Sequence, residues 1–179
     1  MTSWDQSSIW YKAVVRADSP NSSITLGFTS SIGEGSVVLT ELPSVESLPE
    51  TGFPPDTHIG HYVTIGAGCV LKSCRIDDLV ILGDKCVVLQ GALVEHHSVL
   101  EPGTVVMPFQ RIPTGQKWGG NPAKYIADLT PSETEAIQDK AEKIHIQASE
   151  QLAEFLPYGN TYVHLEELER SNAEKPMAG

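Results

Sequence analysis

A left-handed parallel β-helix, followed by one amphipathic helix, is the fold class that the sequence predicts. Two observations carry that expectation. Aliphatic residues recur at Ile59, Ile65, Leu71, Ile76, Leu82, Val88, Val94, Leu100 and Val106, nearly every sixth position. Downstream, Thr130-Pro131-Ser132-Glu133 opens a segment whose apolar residues are spaced by three and four. A period of six fits neither the 3.6 of a helix nor the 2 of a lone strand. It fits hexapeptide repeats, in which each flat face of a triangular coil turns one aliphatic side chain inward and about 18 residues make a coil.

One step in the series, Leu71 to Ile76, is five residues instead of six, and a weaker copy runs upstream through Ile9, Val15, Leu26, Ile32 and Val38. Gly27, Gly33, Gly60, Gly66 and Gly83 accompany the series. They are expected to serve the left-handed backbone of tight corners, which glycine adopts without a Cβ penalty. The stretch 41–57 breaks the period with Pro43, Pro49, Pro54 and Pro55 and several glutamates, and is expected to be a loop excursion from one corner. The β-helix is therefore placed over 1–128.

The second element spans 129–170. Thr130 and Glu133 form a capping box with Pro131 at the first helical position. Ile137, Ala141, Ile144, Ala148, Leu152 and Phe155 then mark one stripe of a helix of about 25 residues, ended by Pro157. That stripe is expected to pack on the β-helix or dock on a neighbour. The remainder, 171–179, is small and polar and reads as a frayed tail.

Composition excludes several function classes. The 179-residue chain carries 12 Lys+Arg against 23 Asp+Glu, a net charge of -11. Phosphate contacts need clustered cations, so no nucleic-acid partner is expected. No run approaches the roughly 18 apolar residues of a membrane span. Cys69, Cys74 and Cys86 are odd in number and form no CxxC pair, so they read as small reduced core residues. The start, Met1 to Tyr11, has no signal or transit pattern. Among the six histidines, the His58/His61 and His96/His97 pairs are the candidates for a new metal pair, yet neighbouring strand residues point to opposite faces. His61 or His97 could also act as the general base of an acyltransferase.

Three further stretches resemble a known family. Ser8-Ile9-Trp10-Tyr11 with Val15-Arg16-Ala17-Asp18 resembles the opening of γ-class carbonic anhydrases. Arg111-Ile112-Pro113-Thr114-Gly115-Gln116, then Trp118-Gly119-Gly120-Asn121-Pro122-Ala123-Lys124, is similar to that family's exit from the β-helix. Glu154-Phe155-Leu156-Pro157-Tyr158 with Tyr162 resembles the C-terminal motif of plant mitochondrial carbonic-anhydrase-like proteins.

The resemblance implies a trimer of homologous chains attached to the matrix side of the mitochondrial complex I membrane arm. It also implies three zinc-binding histidines between subunits. Their positions fall here on Leu39, Ala67 and Lys72, and the family's active-site glutamine falls on Gly33. Leu39 and Ala67 offer no lone pair, and a protonated Lys72 repels a dication. This chain is therefore expected to bind no cofactor alone, to lack catalysis, and to leave zinc to sister subunits. Arg16 and Asp18 are expected to persist as an interface ion pair. The family has about two more hexads before the opening motif, so a partner is expected to cover that end. The alternatives are a hexapeptide acyltransferase, a carbonic anhydrase completed by its sisters, and a scaffold in another assembly such as the end complex of dynactin.

Overall fold

In the computed structural model, residues 2–3, 7–17, 22–40 and 56–151 are described. Their strands fall into three parallel sheets that are the three faces of a left-handed β-helix. The first face stacks Thr2–Ser3, Ile24–Leu26, Thr57–Ile59, Arg75–Ile76, Leu93–Val94 and Arg111–Ile112. The second stacks Ser8–Ile9, Ser31–Ile32, Thr64–Ile65, Ile81–Leu82, Val99–Leu100 and Gln116–Gly119, and closes with the antiparallel Lys124–Asp128. The third stacks Val14–Ala17, Val37–Thr40, Val70–Lys72, Val87–Val88 and Val105–Val106.

From Leu26 onward each hexad aliphatic lands where the period puts it, whereas in the first coil Ile9 is 44% exposed and Val15 only half-buried. Ile32, Ile59, Ile65, Leu71, Ile76, Leu82, Val88, Val94, Leu100, Val106 and Ile112 are all at most 1% exposed and form one column-like core. Coil length follows from strand pairing. Leu93 pairs with Arg75 and with Arg111, a regular 18-residue coil on each side. Arg75 pairs with His58, a 17-residue coil, which is the five-residue step made visible. Thr57 pairs with Ile24 across 33 residues, and Thr25 with Thr2 across 23. All three irregularities sit at the same corner, where the third face turns into the first. Most of the excursion, 41–55, lies outside the described residues. Thr57 belongs to a strand and not to the loop, because its hydroxyl donates to the Leu39 carbonyl at 3.1 Å and it is fully buried.

The glycine expectation needs correction. None of Gly27, Gly33, Gly60, Gly66 and Gly83 has positive φ. The left-handed residue is the second of each corner turn, and it is often not glycine: Lys12, Thr29, Tyr62, Leu79, Lys85, His97 and Phe109 all have φ between 52 and 58°. The series glycines answer a different need, close approach of successive coils. A Cβ on Gly66 would stand 2.5 Å from the Asp84 carboxylate, which accepts the Ala67 N–H at 2.9 Å. A Cβ on Gly33 would meet the Gly66 carbonyl carbon at 2.5 Å.

Cys69 and Cys86 occupy a second periodic position, four residues after an inward aliphatic, that takes small side chains, whereas Cys74 lies three residues after Leu71, in the five-residue step. Ser36, Cys69, Cys86 and Thr104 stack at one corner, and each donates to a backbone carbonyl: Gly66 at 2.9 Å, Gly83 at 3.2 Å, and Glu101 at 3.1 and 2.6 Å. All three thiols are free and buried. The neighbouring Cys86 side chain and burial push the Cys69 thiol up. Burial pushes the Cys74 thiol up to about 12. Only a thiolate alkylates, so at pH 8 native Cys74 is expected to react with iodoacetamide roughly a thousandfold more slowly than in the unfolded chain. Peptide mapping after timed labelling checks this, and native Cys74 labelling at the unfolded rate contradicts it.

The helix is described over 131–151. Its capping box forms as read: the Thr130 N–H donates to the Glu133 carboxylate at 2.8 Å, and the Glu133 N–H to the Thr130 hydroxyl at 3.3 Å. These backbone and hydroxyl donors hold the Glu133 carboxyl below its ordinary range. Ile137 and Ala141 are buried within the chain, so this part of the stripe packs internally, while Ile144 is half-buried. Leu152, Phe155 and Pro157 lie outside the described residues. By backbone contacts the chain divides into Met1–His145 and Ile146–Gly179. No described helix is long and apolar enough to cross a membrane.

Candidate functional site

The three faces differ in what they present outward. The first is polar: its outward row includes Thr25, His58, Arg75 and Arg111, with Arg75 paired to Asp77 at 2.9 Å and Arg111 paired to Glu95. On the second, Ser31 and Thr64 point outward yet are buried, and the Thr64 hydroxyl oxygen has no hydrogen-bond partner among the described residues. An orphaned buried hydroxyl costs stability that its removal restores. Thr64→Val is therefore expected to raise the melting temperature by about 2–4 °C, roughly 1 kcal/mol. A fall in a thermal melt contradicts that reading.

The third face is apolar. Val14, Val37, Val70, Val87 and Val105 are paired in register, so five valines form one outward row. Sequence reading counted the inward residues and missed this row, although its signal is plain: a valine directly precedes an inward aliphatic at each of these positions. The parallel outward row, one strand position beyond the core column, begins Arg16, Leu39, Lys72, which are direct register partners. Leu89 and Met107 follow the paired Val88 and Val106 and extend it. Met107 and the neighbouring Phe109 are 45% and 55% exposed.

The structure therefore brings together two of the three positions singled out for zinc. Leu39 and Lys72 are cross-strand neighbours. Ala67 is not with them. It is exposed in the corner turn that enters the third face, whereas Lys72 ends the strand at the opposite edge. Ala67 and Gly68 form the turn and Val70–Lys72 the strand, so Ala67 is set apart along the face from the Leu39–Lys72 pair. The resemblance implies that a site of this kind is shared between chains. The residues present do not fit a metal on either half: a Leu and an ammonium on one, a methyl on the other. Among the described residues no group of three or more His, Cys, Asp or Glu could hold a metal ion. Gly33 leaves no room for an amide side chain while the coils keep their present spacing. Asp18, the expected partner of Arg16, lies outside the described residues.

No family model matches the chain. Individual relatives do. It is 42% identical over 171 residues to "Gamma carbonic anhydrase-like 2, mitochondrial" from Arabidopsis thaliana, covering 96% of this chain and 64% of that protein. It is 32% identical over 155 residues to the "Probable carbonic anhydrase" of Methanocaldococcus jannaschii, covering 87% and 89% of the two chains.

The chain belongs to the γ-class carbonic anhydrase family.

Within it, this member spans just under two thirds of the length of its plant mitochondrial relatives. A solved hexapeptide transferase family protein from Anaplasma phagocytophilum superposes with a TM-score of 0.70 at 29% identity, over 80% of this chain and 77% of that one. A maltose O-acetyltransferase from Clostridium difficile shares the fold, with a TM-score of 0.52 at 17% identity. This carbonic anhydrase homologue thus keeps the family's β-helix, while the three positions that resemblance assigns to zinc hold Leu39, Ala67 and Lys72.

Proposed function

We propose that this γ-class carbonic anhydrase homologue is a non-catalytic subunit of a heterotrimer attached to the matrix side of the mitochondrial complex I membrane arm. The carrying observation is the split geometry of the site: Leu39 and Lys72 stand at one edge of the third face, Ala67 at the other, and none of them ligates zinc. Each copy then contributes a ligand-free half to two different junctions. A trimer with one copy of this chain retains one junction capable of holding zinc, between its two sisters. A trimer of three copies retains none.

The valine row supports assembly, because a flat apolar sheet face on a chain of net charge -11 is best covered by another chain. Mitochondrial placement rests on what the plant relatives are called, and complex I attachment on the motif resemblance. A blue-native gel of solubilised mitochondrial membranes, probed for this chain, tests the reading. Comigration with complex I activity is expected; migration only as a free trimer-sized species sinks it.

The acyltransferase alternative draws on the shared fold. Against His61 as its base, the Nδ1 of His61 accepts the Phe28 N–H at 2.9 Å, so the neutral ring carries its proton on Nε2 and has no free nitrogen to act as a base.

A further inference from the structure

The buried thiols take no part in the proposed function, and two of them are stacked. Val70 pairs in register with Val87, so Cys69 and Cys86, one position earlier, hold the same corner of successive coils, 17 residues apart. The Val70 N–H, donating to the Cys86 carbonyl at 2.9 Å, fixes that register. Neighbouring strands lie about 4.8 Å apart, within the Cα separation of about 4.4–6.8 Å that a disulfide spans. The Cys69 side chain already leans towards its neighbour: its thiol donates to the carbonyl of Gly83, in the coil of Cys86, at 3.2 Å. Cys74 does not compete, because it sits beyond strand Val70–Lys72, at the corner where the third face turns into the first. The column's neighbouring members, Ser36 and Thr104, are hydroxyls.

The two thiols differ in acidity. Cys69 beside it holds the Cys86 thiol down to about 7, whereas Cys86 and burial push the Cys69 thiol up. Near neutral pH Cys86 is therefore the thiolate that attacks, and Cys69 the thiol that resolves. Both lie directly beneath exposed turn residues, Ala67 and Gly68 over one, Asp84 and Lys85 over the other. Local opening of such a turn admits a molecule as small as peroxide.

We propose that Cys69 and Cys86 form a redox modification site, at which hydrogen peroxide converts the stacked thiols to a reversible disulfide within one chain. The Cys86 thiolate attacks one peroxide oxygen, the O–O bond breaks, and hydroxide leaves a sulfenic acid on Cys86. The Cys69 sulfur then attacks the sulfenic sulfur, and the S–O bond breaks. The hydroxyl leaves as water with the Cys69 proton, and the hydroxide takes up the proton that Cys86 lost on ionising. Two thiols give up two electrons to one peroxide, and the products are one disulfide and two waters. Parallel in-register side chains keep their Cβ atoms near the strand spacing, wider than the roughly 3.5–4.5 Å of a relaxed disulfide. The bond is therefore strained and yields to a small thiol. The site belongs to this chain alone and stands whether or not the subunit reading does.

The test treats the full chain, alone and in its assembly, with hydrogen peroxide near neutral pH. The sample is quenched in acid, alkylated in denaturant and mapped without reductant. A peptide pair joined through Cys69 and Cys86 is expected, with the chain two hydrogens lighter, Cys74 alkylated, and the mass restored by dithiothreitol. Serine stands at Ser36 in the same column, so Cys69→Ser and Cys86→Ser should keep the fold, which circular dichroism checks. Cys69→Ser should lose the cross-link and leave a sulfenic acid on Cys86 that dimedone traps. Cys86→Ser should lose the cross-link and show at least tenfold less trapping. Cys74→Ser should cross-link as the parent chain does. The parent map decides the pairing whether or not a variant folds.

Three alkylatable thiols after treatment overturn the proposal, as does a bond that involves Cys74 or joins two chains. Equal trapping in the Cys86→Ser and Cys69→Ser variants also overturns it. So does a cross-link that forms only in denaturant, because the folded stack is then not what pairs the thiols.

Discussion

Val87→Asp is expected to convert the assembled protein into monomers that keep their β-helix. Val87 lies mid-row on the third face, paired with Val70 on one side and Val105 on the other, and points away from the core that Val88 fills. In a lone chain an aspartate there faces water and costs little. In an assembly that covers the row it is an unpaired buried carboxylate, a penalty of several kcal/mol or more. Since 1.4 kcal/mol is a tenfold change in an equilibrium constant, dissociation rises by at least a thousandfold. Light scattering should report monomer mass, with the circular dichroism spectrum unchanged. An intact trimer contradicts the assignment of this face, and a lost spectrum means that the row serves folding within the chain.

Gly66→Val is expected to prevent folding. At this position even a Cβ would stand 2.5 Å from the Asp84 carboxylate, 2.7 Å from the Asp84 nitrogen and 2.8 Å from the Gly83 carbonyl carbon. Two of those neighbours are backbone of the next coil and cannot swing aside. Relief requires separating coils whose hydrogen bonds, such as the Gly66 N–H to the Leu82 carbonyl at 2.9 Å, hold them in register. Overpacking of this kind costs about 1–3 kcal/mol where neighbours yield. Against rigid backbone it exceeds that, a large share of the 5–15 kcal/mol that stabilises a typical protein. Gly103→Val, by contrast, meets nothing within 4 Å and suffers only from its φ of +74°. A soluble, cooperatively melting Gly66→Val variant refutes the close-approach account of the series glycines.

The period of six was legible because an inward residue must be aliphatic at each face, and a residue missing from one corner appears as a five-residue step. The reason for the glycines was not. Corner φ and coil spacing both call for glycine, and only coordinates separate Gly66, with no room for a Cβ, from Gly68, with φ of +66°. The small-residue column of Ser36, Cys69, Cys86 and Thr104 also has period-based spacing, but mixed chemistry hid it from a count of aliphatics. The site was legible as three positions and opaque as geometry. Nothing in the spacing of Leu39, Ala67 and Lys72 says that the first and last are neighbours across a 33-residue coil while Ala67 stands at the far edge.

The central claim is that this chain supplies no zinc ligand to any junction it enters. The direct measurement is the zinc content of the purified assembly by elemental mass spectrometry, with chain stoichiometry from the same sample. An assembly of this chain alone should hold no stoichiometric zinc, and one containing a single copy should hold one zinc per trimer or none. More than one per trimer in the mixed assembly, or any stoichiometric zinc bound between copies of this chain, contradicts the account.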